Sequence, residues 1–117
     1  MTTAHSNDMQ QCIAECQSCH ALCLETVSHC LEMGGSHAEP RHIGLLESCA
    51  EICQTSANFM IRGSELHTRT CAACAEVCRA CEADCRRLSA GDEVMARCAD
   101  ACAQCAESCE RMAAAVH

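Results

Sequence analysis

Between positions 71 and 85 the chain reads CAACAEVCRACEADC, with five cysteines separated by 3, 4, 3 and 4 residues. Steps of three and four mark the buried face of an amphipathic helix, where branched apolar side chains normally sit. The same stepping recurs along the chain. A first segment gives Met9, Cys12, Cys16, Cys19, Cys23, Thr26, Cys30 and Met33. A second gives His42, Leu46, Cys49, Cys53, Ser56 and Met60. The third gives His67, Cys71, Cys74, Cys78, Cys81, Cys85 and Leu88, and the last Met95, Cys98, Cys102, Cys105, Cys109 and Met112. All 16 cysteines fall on these seams, and the flanking positions carry Glu, Asp, Arg and Ala. The pattern therefore predicts thiols pointing into a helical core.

Punctuation divides the seams into four helices. Asn7 with Gln10 has the form of a capping box. Gly34-Gly35 ends the first helix, and Pro40 opens the second at a first-turn position. Gly63-Ser64 and Ser89-Ala90-Gly91-Asp92 each supply a stop followed by a cap. Helices at about 8–33, 40–62, 65–88 and 92–115, joined by short links, predict an all-α fold: one antiparallel four-helix bundle with a cysteine-lined core, spanning residues 1–117. Composition agrees, since Ala, Glu, Arg, Gln and Leu favour helix. Aromatic residues are almost absent, with one Phe and no Trp or Tyr among 117 residues.

Other classes lose ground on composition. The net charge is −8 and every basic side chain is Arg, without a basic block, which argues against nucleic acid as a partner. No segment has the roughly 20 apolar residues of a membrane span. The N-terminal MTTAHSNDMQQC lacks a basic region followed by an apolar run, so the expected location is the cytosol. In that reducing compartment sixteen cysteines argue for metal rather than disulfides. The carboxylates lie on expected outer faces with no paired cleft. Sixteen equivalent thiols single out no nucleophile, so an enzyme is not expected.

Fourteen cysteines sort into seven CxxxC pairs: Cys12/Cys16, Cys19/Cys23, Cys49/Cys53, Cys74/Cys78, Cys81/Cys85, Cys98/Cys102 and Cys105/Cys109. Residues at i and i+4 are helix neighbours, so two thiolates of one helix can converge on one ion. Soft, low-coordinate Cu(I) accepts such a pair. CxxC steps between pairs let one thiolate bridge two ions, so many Cu(I) ions per chain are expected. Zinc wants four ligands in a tetrahedron, which here would have to form across helices. Zinc or mixed-metal sequestration of the metallothionein kind therefore stays open as the alternative, as does a redox or structural thiol bundle.

The segments CIAECQSCHALC (12–23), CAEIC (49–53), CAACAEVCRACEADC (71–85) and CADACAQCAESC (98–109) resemble the bacterial copper storage proteins, in particular their cytosolic branch. The resemblance covers nearly the whole chain. It implies a four-helix bundle, commonly a homotetramer, whose lumen binds many Cu(I) ions through cysteines. The matching ligands are Cys12, Cys16, Cys19, Cys23, Cys30, Cys49, Cys53, Cys71, Cys74, Cys78, Cys81, Cys85, Cys98, Cys102, Cys105 and Cys109.

An antiparallel bundle has two ends. One gathers Met9, Phe59, Met60, Leu66, His67 and Met112 and reads as a plug. The other gathers Cys30, Met33, the Gly-Gly turn, His29, His37, His42, Leu88 and Met95 and reads as the mouth. Cys30 with Met33 is the expected receiving pair, with His42 beside it. His5, His37 and His117 read as solvated, and His20 and His29 fall off the strict seam.

Overall fold

The structure is a computed structural model that describes residues 6–114. Four helices run along a body of 51 × 20 × 19 Å. They are α1 (Asn7–Met33), α2 (Pro40–Ile61), α3 (His67–Arg87) and α4 (Glu93–Ala114), with a 3-10 turn at Gly35–Ala38 between the first two. α1 packs on α2 and α4, and α3 packs on α2 and α4. Each helix thus has two neighbours around a square, and the seams face a shared axis. The described residues contain no strand, and no helix among them is long and apolar enough to cross a membrane.

The caps explain the boundaries. Ser6, not Asn7, starts α1: its side chain accepts the Met9 N–H at 3.1 Å, which puts Asn7 inside the first turn. At the other end Gly34 returns its N–H to the Cys30 carbonyl at 3.1 Å with φ 71° and ψ −167°. That backbone conformation is essentially open only to glycine. Pro40 takes the first turn of α2. α3 begins at His67, two residues later than the Gly-Ser punctuation predicts. Ser64 is spent on a local turn, its hydroxyl accepting from Leu66 N–H at 3.1 Å. Asp92 caps α4 by accepting the Met95 N–H at 3.1 Å. The expected end of the last helix near Ala115 lies outside the described residues, as do His5 and His117.

The core is sulfur with small apolar filler. Every one of the sixteen cysteines is at most 1% exposed. Leu46, Met60 and Met95 are the largest apolar side chains fully buried with them, and Ala50, Ala57, Ala75, Ala99 and Ala106 complete the interior. One seam expectation and one end expectation fail. Met33 is 56% exposed, because α1 unwinds at the next residue and no helix covers its last turn on that side. Leu66 is 57% exposed in the α2–α3 turn rather than sealing the far end.

Candidate metal centre

The sixteen thiols are free, and most of them form one contact network. From the α1 start, Cys12 lies 3.6 Å from Cys109, Cys109 3.6 Å from Cys16, and Cys16 3.6 Å from Cys105. The chain continues Cys105–Cys53 (3.7 Å), Cys53–Cys78 (3.7 Å), Cys78–Cys49 (3.6 Å) and Cys49–Cys19 (3.8 Å). It then passes through Cys23 to Cys98 in two steps of 3.9 Å. Cys74 joins it at Cys53, Cys78 and Cys105, and Cys102 at Cys19 and Cys49. Cys81 and Cys85 pair at 4.0 Å.

Few of these contacts lie within a CxxxC pair. Cys19/Cys23, Cys74/Cys78 and Cys81/Cys85 touch directly, at 3.9, 3.8 and 4.0 Å. The others cross between helices. Antiparallel seams interleave, so the nearest sulfur at a given level usually belongs to a neighbouring helix. Four-sulfur groups therefore do form across helices, the arrangement that a tetrahedral ion would need. The groups whose sulfurs lie within 4.8 Å of one another are Cys16/Cys74/Cys105/Cys109, Cys19/Cys53/Cys78/Cys105, Cys19/Cys23/Cys49/Cys102 and the trio Cys12/Cys71/Cys109. The second takes one thiol from each helix.

A mixed donor set closes the end where α1 turns into α2. Cys30 Sγ sits 3.3 Å from His42 Nε2 and 3.4 Å from Met95 Sδ. His42 is 1% exposed, and its Nδ1–H donates to Asp84 Oδ2 at 2.7 Å. An ionised carboxylate only accepts, so Nδ1 carries a proton, and Nε2 is the ring nitrogen that faces Cys30. Burial opposes ionisation of Asp84, but His42 and Arg87 together hold its carboxyl below the usual range. Arg87 reaches Asp84 at 3.0 Å and Arg41 at 3.3 Å. Burial, with Asp92 and the Cys98 and Cys81 thiols adding, pushes Cys30 from 9.0 up to about 11. At neutral pH that thiol is protonated, so a metal ion must displace its proton.

The partners of Cys30 are thus His42 and Met95, while Met33 projects outward at the rim. Asp84 was missed by the sequence reading, which put all carboxylates outside. Its burial depends on the register of α2 against α3, which periodicity within α3 does not encode. His37, expected to be solvated, is only 18% exposed in its side chain and sits 3.3 Å from Asp92 Oδ2. His29 donates to the same oxygen at 2.8 Å. His20 is a strut, its Nδ1 bonded to the Ala50 carbonyl of α2 at 2.7 Å. At the opposite end Cys71 lies 3.2 Å from Ser56 Oγ and 3.7 Å from Met60 Sδ. Contact with Cys109 lowers the Cys71 pKa, but Cys12 and burial prevail and lift it to about 12.

Comparison with known proteins agrees with this sulfur-lined bundle. The sequence pattern of the copper storage protein family matches residues 5–114. Among solved structures, a Nitrosospira multiformis protein is 46% identical, with a TM-score of 0.86 over 92% of this chain and 95% of its own. The Cu(I)-bound copper storage protein BsCsp3 is 33% identical, with a TM-score of 0.84 over 92% of this chain and all of its own. A cytosolic copper storage protein from Streptomyces lividans, solved with five coppers, is 28% identical, with a TM-score of 0.81 over 94% of this chain and 95% of its own. Comparison with curated protein sequences gives no match. A family pattern spanning nearly every residue, on a bundle whose thiols touch in an unbroken run from Cys12 to Cys98, places this chain in the copper storage protein family.

Proposed function

We propose that the chain stores Cu(I) in the cytosol, each ion held by core thiolates that serve more than one ion. The observation that carries this is sharing. Cys105, Cys19 and Cys109 each belong to two of the metal-sized groups. Four ligands at about 2.3 Å around a tetrahedral zinc stand roughly 3.8 Å apart, so sulfur spacing alone suits zinc as well. Isolated tetrahedral sites cannot each claim a thiol that another needs, so zinc could fill these groups only as a bridged cluster. Low-coordinate Cu(I), which tolerates two or three soft ligands and bridging thiolates, can use every sulfur. Relatives solved with five coppers and with ten copper equivalents support a store of many ions. All sixteen cysteines are assigned as ligands, with His42 beside Cys30 and Met33 at the rim where ions arrive. The role is storage and not catalysis. The chain acts as one bundle in a homotetramer, a reading supported by Leu24 and Leu31, 47% and 57% exposed one above the other on α1.

Titration of the reduced protein with Cu(I), with and without Zn(II), tests the reading. Expected is saturation on the order of 16 Cu(I) per chain, unaffected by Zn(II), from the sharing of soft thiolates. Saturation near four ions, with Zn(II) competing effectively, would instead establish the tetrahedral-cluster alternative.

A further inference from the structure

Outside the sulfur column the mouth end carries a second group of metal-binding side chains. His29 on α1, His37 on the 3-10 turn and Asp92 at the start of α4 meet there. His29 Nε2 lies 2.8 Å and His37 Nε2 3.3 Å from the same carboxylate oxygen, Asp92 Oδ2. The imidazoles stand edge to face, with centroids 6.2 Å apart and planes at 82°. His37 Nε2 is shielded from solvent and makes no hydrogen bond of good geometry, although it points at that carboxylate. A buried ring nitrogen without a bond, facing an anion and a second imidazole, is an unfilled demand for a shared partner. The other carboxylate oxygen, Oδ1, is committed to the Met95 N–H at 3.1 Å, which fixes the group in place. The side chains are 26%, 18% and 10% exposed for His29, His37 and Asp92, so the group is sheltered yet reachable from water.

We propose that His29, His37 and Asp92 form a separate site for one divalent ion of the zinc class at the rim of the bundle. Two imidazoles and a carboxylate are borderline-to-hard donors, which suit Zn(II) and disfavour Cu(I), the ion selected by the thiols. Zinc held by two histidines and one carboxylate keeps a fourth position for water, as this sheltered but accessible location allows. The three ligands come from three segments, so the ion would fasten the Gly34–Gly35 turn to the start of α4. The inference does not rest on the storage reading, because it uses none of the thiols.

The test is Zn(II) titration of the Cu(I)-loaded protein, followed by imidazole 15N chemical shifts. These signals report on the rim whether or not the thiols hold copper, so failure of copper loading and failure of this site are separable. Expected are concerted shifts of His29 and His37 that saturate together at about one rim ion per chain. Asp92→Asn keeps a side chain that caps α4 equally well. It should weaken the site by about tenfold or more, at least the loss usual for partners one shell further out. His29→Ala with His37→Ala should abolish rim binding and leave Cu(I) capacity unchanged. No shift at a severalfold excess of Zn(II) would overturn the proposal. So would a shift of one imidazole alone, or affinity unaltered in Asp92→Asn when circular dichroism shows that variant folded.

Discussion

Cys30, His42 and Asp84 show how one buried carboxylate sets the chemistry of its neighbours. Asp84 is 6% exposed and holds the Nδ1 proton of a ring that is 1% exposed. Asp84→Leu removes that acceptor and leaves a buried N–H unpaired, at a cost of about 1–3 kcal/mol. Urea unfolding of the reduced protein measures it, and an unchanged midpoint would mean that water takes over the bond. The thiols give a second expectation. Cys30, whose ordinary pKa of 9.0 is raised to about 11, binds its proton more tightly in the folded chain than in the unfolded one. Its contribution to stability is complete below pH 9.0 and is lost as pH rises through about 11. Each pH unit in that window removes about 1.4 kcal/mol for such a thiol. Cys71, raised to about 12, extends the loss upward. The Cys30 and Cys71 contributions to the melting temperature of the copper-free protein, read as the difference from the Cys30→Ala and Cys71→Ala variants, should therefore hold below pH 9.0 and fall above it. A rise across the same window would show that the thiols ionise more easily when folded.

Two glycines separate backbone demand from packing at the scale of the helices. An added Cβ would meet nothing within 4 Å at either Gly34 or Gly44. Gly34 has φ 71° and ψ −167°, so Gly34→Ala strains the link out of α1 by about 1–3 kcal/mol. Gly44 lies inside α2 without a positive φ, so Gly44→Ala should stabilise by about 0.5–1 kcal/mol. Thermal denaturation of the two variants should move in opposite directions; equal shifts would discredit the conformational account. These positions also show what a sequence reveals. The helix stop at Gly34-Gly35, the helix start at Pro40 and the inward seams were legible, because glycine, proline and three-four stepping act locally. The four-sulfur groups were not, since they depend on how far one helix slides against the next. The same holds for Asp84, an acidic residue beside Cys85 whose partner stands 42 positions away. His37 looked like any turn histidine, because nothing local indicates that the α4 cap folds against it.

Across the whole molecule, helix formation and copper binding are separate events. Caps, seams and alanine filler form the bundle without an ion, unlike a zinc finger that folds only around its metal. The reduced, copper-free protein should give a helical circular dichroism spectrum that Cu(I) leaves nearly unchanged, whereas a coil that turns helical on copper addition would refute this. Cys98→Ala with Cys102→Ala should lower capacity by about two ions through lost shared thiolates and keep the fold, since alanine suits helices. Cu(I) titration alongside circular dichroism checks both halves. The unbroken run of sulfurs from Cys12 to Cys98, with no step longer than 3.9 Å, also governs the order of traffic. An ion inside can move only by handing itself from one thiolate to the next, and the flanks of the column are closed by helices. For ions that leave through one end, withdrawal then works like a stack: the ion nearest that end goes first, and the deepest one waits until those ahead of it have gone.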